Sequence, residues 1–333
     1  MKSRNLLVGL TYDLRSDYMK MGYTEEQTAE FDSEETIKAI EVTLQQLGFM
    51  TERIGNLKAL LKMLDGQPKW DIVFNICEGM HGIGREAQAP ALLEAFRIPF
   101  VFAGPVTLSV TLHKAMAKRI VHDAGVPTPD FFLLEKESMI SEIILPYPLF
   151  VKPLAEGTGK GISSKSVIKS DSGLKKVCTA LLNKFSQPVL VERYLSGREF
   201  TCGITGSGDE AEVAGVMEVI LNKQAEKEVY SFTNKEECEE RVIYRRAGAD
   251  ETKVIGDLAL KAYRVLDCLD AGRVDFRMDE NGIPNFIEIN PLAGINPHHS
   301  DLPILCKMHG ISYRQLMERI MRSALKRYGL SYP

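Results

Sequence analysis

Between Gly272 and Asn290, two carboxylates and an amide fall where a hairpin would gather them. Asn281-Gly282 is a strong hairpin signal, because a type I′ turn needs positive φ at both central residues. A two-residue loop there sets Asp275 opposite Glu288 and Arg273 opposite Asn290, on one face of the sheet. Val274, Phe276, Ile287 and Ile289 then take the other face and can enter a core. Facing carboxylates repel unless something positive lies between them. Asp275, Glu288 and Asn290 are hard oxygen donors, the set that holds magnesium when phosphates complete its shell. The other reading is a solvated polar face in which Arg273 neutralises Asp275.

A second chemical signal lies at Lys152 to Gly161. Gly157, Gly159 and Gly161 follow an apolar strand and allow close backbone approach, so their N–H groups can wrap phosphates. The spacing is neither a Walker A loop nor a dinucleotide fingerprint, and a plain flexible turn is the alternative. Lys152 at the strand end and Lys114 at a helix start can supply point charges, although each taken alone reads as a surface charge. Glu192-Arg193-Tyr194-Leu195 followed by Glu199 joins the end of one strand to the start of another. Its backbone edge can read a base, and Glu199 can accept from ribose hydroxyls. The alternative is an ordinary strand–loop–strand.

The elements that must position these groups follow from periodicity. Asn5–Leu10 and Asp71–Ile76 read as buried strands, and Pro99–Ala103 as a third. Ser33 caps a helix over 33–47, with Ile37, Ile40, Leu44 and Leu47 on one face and Gly48 as its stop. A short helix covers Ala91–Phe96, so the first hundred residues alternate as an open α/β sheet. A helix over 113–124 ends at Gly125-Val126-Pro127. Strands follow at Leu149–Val151, Ser163–Val167, Val189–Tyr194 and Glu199–Thr205. The polar stretch 222–241 reads as a mobile loop. A helix over 251–267, strands Arg273–Met278 and Pro284–Asn290, and a final helix Tyr313–Arg327 complete the pattern.

Bulk properties exclude several function classes. The chain has 333 residues and a net charge of −4, so bulk charge gives no nucleic-acid footprint. The six cysteines form no CxxC pair and read as thiols of a reducing compartment, and the six histidines lack zinc spacing. The apolar region Ala91–Leu112 carries Glu94, Arg97, Pro99 and Pro105 and does not read as a membrane span. A cytoplasmic protein without nucleic-acid or membrane partners is expected.

Taken together, the motifs resemble the ATP-grasp superfamily and, within it, the D-alanine–D-alanine ligase family. Phe74 to Gly82 looks like the strand that leads to the family's His-Gly motif. Phe102-Ala103-Gly104-Pro105 and His113-Lys114-Ala115-Met116-Ala117-Lys118 resemble the segment ending in a phosphate-binding lysine. Val151-Lys152-Pro153 with Glu156-Gly157-Thr158 resembles the lysine–proline strand and lid loop. Val191 to Leu195 with Gly197-Arg198-Glu199-Phe200 is similar to the nucleotide hinge. Gly272 to Asp275 and Glu288-Ile289-Asn290-Pro291 with Gly294 resemble the metal and acyl-transfer motif. The resemblance runs in order over nearly the whole chain. It implies an α/β fold with an N-terminal open domain (1–112), a central lid subdomain (113–196) and a C-terminal subdomain (197–333).

The same resemblance implies an ADP-forming ligase making a peptide bond through an acyl phosphate. Lys114, Lys152 and Lys235 would hold phosphates, with Glu156, Gly157, Gly159 and Gly161 in the lid. Glu192, Tyr194, Leu195 and Glu199 would seat the nucleoside. Asp275, Glu288 and Asn290 would bind two magnesium or manganese ions. Arg273 and the Gly294 N–H would stabilise the oxyanion, Thr158 would supply a lid hydroxyl, and Glu30 would hold the first substrate's ammonium. His81, Glu86, His299 and Ser300 would line the substrate pockets, and a homodimer is expected. Several positions depart from the family pattern. Thr158 and Gly159 replace two serines, Lys235-Glu236 stands where a tyrosine is usual, the acidic loop shortens to 84–88, and the Thr11–Phe31 entry is long. The open alternatives are an ATP-grasp ligase for other amino acids or small carboxylates, and a nucleotide-binding module without ligase chemistry.

Overall fold

The computed structural model describes residues 5–66, 68–222 and 241–333, so Lys235-Glu236 and almost all of the expected mobile loop lie outside it. The first sheet is parallel. Leu7–Tyr12 (β1) lies between Met50–Gly55 (β2) and Ile72–Ile76 (β3), the last buried at every residue, as a strand covered on both faces should be. The helix Glu34–Gln46 begins where expected, with the Ser33 side chain accepting from the Thr36 N–H. The expected strand Pro99–Ala103 is reduced to a single bridge between Phe100 and Val73. Its extension fails because Phe102 sits in the left-handed region (φ +74°) and gives its N–H to Asp270 Oδ2 at 2.8 Å instead of to a neighbouring strand.

Two antiparallel sheets follow. Phe131–Leu134 (β4), Leu149–Pro153 (β5), Val167–Ile168 (β6) and Val189–Arg193 (β7) form one in the order β4-β7-β5-β6. The expected strand Ser163–Val167 becomes a turn over Ser164–Ser166 ahead of the short β6, because Ser163 and Ser166 close a capping box. Glu199–Thr205 (β8), Glu212–Leu221 (β9), Val242–Arg246 (β10), Ala271–Met278 (β11) and Pro284–Asn290 (β12) form the other, in the order β10-β9-β8-β11-β12. Helix Ala249–Val265 packs Ile255, Ala259, Ala262 and Tyr263 against Val274, Phe276, Phe286 and Ile289.

The β11–β12 hairpin keeps the expected pairing where the chemistry is. Arg273 faces Asn290 and Asp275 faces Glu288. Beyond that point the register shifts, and Phe276 faces Phe286. The turn is the cause. Asp279 N–H bonds Ile283 O, Gly282 N–H bonds Asp279 O and Gly282 has φ +77°, so the loop has three residues, one more than the two expected. The shift puts Phe286 in the core in place of Ile287, which lines a cleft instead.

Sequence periodicity missed several elements, among them helices Leu57–Leu64, Pro105–Leu112, Asp171–Phe185 and Asp301–Met308. The largest core joins the two ends of the chain, with Ile37, Ile40 and Phe74 from the first sheet's layer and Leu316, Ile320 and Leu325 from the last helix, Tyr313–Arg327. Fully buried Asp270 locks this junction. It accepts from Arg327 Nη2 at 2.6 Å, Ser323 Oγ at 2.8 Å and the Phe102 N–H. Asp270→Ala leaves the half-buried Arg327 guanidinium without its counter-charge and the Phe102 N–H without its acceptor, and urea unfolding should show a loss of about 3–5 kcal/mol. A loss under about 1 kcal/mol would remove Asp270 as the lock.

Candidate active site between the two antiparallel sheets

A cleft of about 880 Å³ opens between the two antiparallel sheets. Its wall is built on a buried charge triad. Lys152 on β5 meets Glu192 Oε2 on β7 at 2.9 Å, and Lys118 meets Glu192 Oε1 at 2.8 Å. Lys118 also donates to Phe286 O at 2.9 Å and is fully buried. Burial alone would raise the Glu192 carboxyl, but the two lysines outweigh it and hold it below its ordinary value. One carboxylate cannot serve two ammonium groups equally. Desolvation pulls Lys118 down to about 8 against the attraction of Glu192, with Lys152 adding to the fall. For Lys152 the carboxylates outweigh burial, and its value rises.

The hinge follows directly. Tyr194, Leu195 and Glu199 line the same cleft, with Phe150 and Ile287 as apolar walls. The Tyr194 N–H donates to Pro148 O at 3.0 Å. Arg277 lies over the Tyr194 ring, 5.1 Å from its centre, and Arg277 Nη1 is 3.6 Å from Glu199 Oε2.

The lid loop divides this cleft from a second cavity of about 1730 Å³. Glu156 and Gly159 line the first; Gly157 and Thr158 line the second. Thr158 has φ +51°, a left-handed conformation unusual for a β-branched residue. Gly161 lines neither among the described residues. It has φ +75°, and a side chain there would strike Pro153 and Phe185, so it serves packing. The loop is pinned by Glu30, which accepts from the Gly157 N–H at 2.6 Å, Lys160 Nζ at 2.9 Å and Arg85 Nη2 at 2.9 Å. Burial would raise the Glu30 carboxyl, but Arg85 and Lys160 hold it well below its usual range. Glu30 lines the second cavity with its carboxylate engaged by these cations.

Lys114 and Glu288 line both cavities. Lys114 opens the helix Lys114–Asp123, whose start is set by His113 Nδ1 accepting from the Met116 N–H. Its Nζ lies 3.3 Å from Glu288 Oε2 and donates to Glu156 O at 2.7 Å. Asp275 accepts from Thr201 Oγ1 at 3.0 Å and pairs with Arg273 Nη2 at 3.1 Å. Arg273 Nη1 is 2.5 Å from Asp301 Oδ2. Asn290, Gly294, His299 and Ser300 line the second cavity, as does Glu86. His81 lies outside that lining, exposed beside the Tyr23 hydroxyl at 3.4 Å.

The donors suit magnesium only in company. Among the described residues no group of three or more histidine, cysteine or acidic side chains could hold a metal. Asp275 and Glu288 offer two hard anionic donors and Asn290 an amide oxygen. Phosphate oxygens would have to complete the shell, and the protein's own cations, Arg273 and Lys114, balance the carboxylates meanwhile.

A family model described as the D-Ala D-Ala ligase C-terminus matches residues 120–322, more than half the chain. The chain belongs to the D-alanine–D-alanine ligase family. A relative named D-alanine–D-alanine ligase from Alcanivorax borkumensis is 30% identical over 294 residues, covering 87% of this chain and 88% of that protein. An uncharacterized protein, y4sG, from Sinorhizobium fredii is 28% identical and covers 77% and 75%. In structure, the VanG D-Ala:D-Ser ligase of Enterococcus faecalis superposes with a TM-score of 0.75 at 22% identity, over 96% of this chain and all of that one. A D-alanine–D-alanine ligase of Bacillus anthracis complexed with ATP gives 0.73 at 20%, over 98% and 99%. The fold is that of the D-alanine–D-alanine ligases, an α/β ATP-grasp architecture. Among the described residues no helix is long and apolar enough to cross a membrane.

Sequence reasoning in this ligase-family chain missed Lys118, Lys160 and Asp301 as partners of the candidate site. Lys118 lies four residues after Lys114 on the same helix, and that spacing was the available signal. Lys118→Met breaks the triad. Stability should fall by about 3–5 kcal/mol by denaturant unfolding, and the KM for ATP should rise. Unchanged stability would reduce Lys118 to a packing role.

Proposed function

We propose that this chain joins two amino acids by an ADP-forming reaction through an acyl phosphate, with Lys114 and Glu288 at the point of phosphoryl transfer. The observation that carries the reading is that these two residues line both cavities. A nucleotide in the first cleft and a carboxylate in the second would meet there. ATP use and peptide-bond formation are the activity of the family, and the chain is a ligase of that class. Its substrates are small amino acids.

In the first step a carboxylate oxygen of one substrate bonds the γ-phosphorus, and ADP leaves. In the second, the amine of the other substrate attacks the acyl carbon and a tetrahedral centre forms. The amine proton is lost and phosphate departs, leaving the amide. Lys114 and Lys152 would hold phosphate oxygens, and Lys235 would join them. Glu192, Tyr194, Leu195 and Glu199 would seat the nucleoside. Arg273 and the Gly294 N–H would face the oxyanion, where preorganised donors act most strongly. Asp275, Glu288 and Asn290 would hold two magnesium or manganese ions, which when bound neutralise the transferring phosphoryl group.

The second cavity supports substrates with an ammonium group, since Asp32, Glu78 and Glu86 stand on its wall. Burial raises all three carboxyls, Asp32 and Glu86 to about 7, and a bound ammonium would draw them back to the charged form. With Glu30 engaged by Arg85 and Lys160, these three are the better candidates to face that ammonium. A cytoplasmic homodimer completes the reading.

The test is incubation with Mg-ATP and pooled D- and L-amino acids, with products identified by mass. D-alanyl-D-alanine would place the substrates with those of the named relatives, and another dipeptide would keep the chemistry and change the substrates. ATP binding without any product across the panel would overturn the ligase reading. Glu288→Gln should lower turnover by about a hundredfold or more, with the circular dichroism unchanged. A wild-type rate in that variant would remove Glu288 from the chemistry. Thr158→Ala should slow the ligase more than it weakens ATP binding.

A further inference from the structure

Asp301 opens the helix Asp301–Met308, and its side chain is 8% exposed. Both of its oxygens are engaged. Oδ2 lies 2.5 Å from Arg273 Nη1, and Oδ1 accepts from the Tyr244 hydroxyl at 3.0 Å. Arg273 reaches Asp275 with its other terminal nitrogen, at 3.1 Å. One guanidinium is therefore shared by two carboxylates, and the nearer one takes the larger share of its charge.

We propose that Asp301 is the positioning residue of Arg273. It draws part of the guanidinium's charge away from Asp275, which Arg273 still contacts at 3.1 Å, so that Asp275 stays available to a divalent cation, and it fixes the guanidinium relative to the loop that carries Gly294. This rests on the ligase reading above. Two features suit Asp301 to the task. A carboxylate in the first turn of a helix is favoured by the unpaired N–H groups there, and the Tyr244 bond restrains its rotation. The loop from Gly294 is tied to the same place. Ser300, next to Asp301, accepts from the Asn296 N–H at 3.0 Å, and the Asn296 side chain takes the N–H groups of His298 and His299. Arginine and loop are thus anchored together. Without Asp301, Asp275 is the close carboxylate left to Arg273 among the described residues, and it would take a larger share of the guanidinium's charge.

The experiment compares the full-length wild type with Asp301→Ala, Asp301→Asn and Tyr244→Phe. It measures kcat, KM for ATP, the magnesium concentration for half-maximal rate, ADP affinity by calorimetry, and binding of a phosphinate dipeptide as a tetrahedral mimic. Asp301→Ala should lower kcat about 10–100-fold, the loss usual when an outer partner of a metal site is removed. It should raise the magnesium requirement several-fold and weaken the phosphinate, with ADP affinity and KM for ATP nearly unchanged. Asp301→Asn keeps a hydrogen bond to Arg273 and should recover part of the rate; Tyr244→Phe should show a smaller loss in the same direction. Unchanged kcat and magnesium dependence in Asp301→Ala would overturn the proposal alone. So would a loss of ADP affinity parallel to the loss of kcat, which marks a merely structural role. A wild type that forms no product and does not bind the phosphinate would overturn the ligase reading and this proposal together.

Discussion

Two carboxylates held face to face across adjacent strands set the constraint that the site answers. Asp275 and Glu288 are paired in register on β11 and β12, and their mutual repulsion has to be met by nearby positive groups. Lys114 answers Glu288 from the start of a helix more than 150 residues away, and Arg273 answers Asp275 from the same strand. Arg273 is in turn answered by Asp301. Each neutralising group comes from a different element, so the charges of the hairpin fix where those elements must sit. The neutralisation by side chains is replaceable, because phosphates with divalent cations offer the same charges.

The same logic builds the wall of the first cleft. Glu192 is buried and survives as an anion because two lysines attend it, and Lys118 also bonds the carbonyl of Phe286 at the hairpin's bulge. The strand that carries Glu192 and the carboxylate-bearing hairpin are therefore mechanically joined through one buried ammonium. Removing such a partner costs more than the pair itself contributes, since the remaining charge has no water to turn to. The lid loop is tied differently, through Glu30, Arg85 and Lys160, which connect the long N-terminal entry to the loop between the two cavities.

How much of this was legible beforehand can be judged residue by residue. The pairing of Asp275 with Glu288 followed from alternation and a turn signal, both local properties. The bulge did not, because an Asn-Gly pair permits a two-residue or a three-residue loop, and the contest between Phe286 and Ile287 for the core decides between them. The strand expected at 99–103 failed for a non-local reason: the Phe102 N–H is claimed by Asp270, 168 residues away. The helix Asp171–Phe185 has local signals as well, a Ser170 cap and Leu174, Cys178 and Leu181 at helical spacing, although it was not expected.

By itself, the sequence determined the family, the order of its motifs and the local hairpin that opposes two carboxylates, because spacing along one chain sets alternation, caps and turns. Tertiary structure alone decided which charges meet. It alone gathered Lys118, Lys152 and Glu192, drew Glu30 to Arg85 and Lys160, and placed Asp301 on Arg273. Such contacts depend on how distant elements pack, and the cost of leaving any of these groups unpaired in a buried place selects the one arrangement in which each finds its counter-charge.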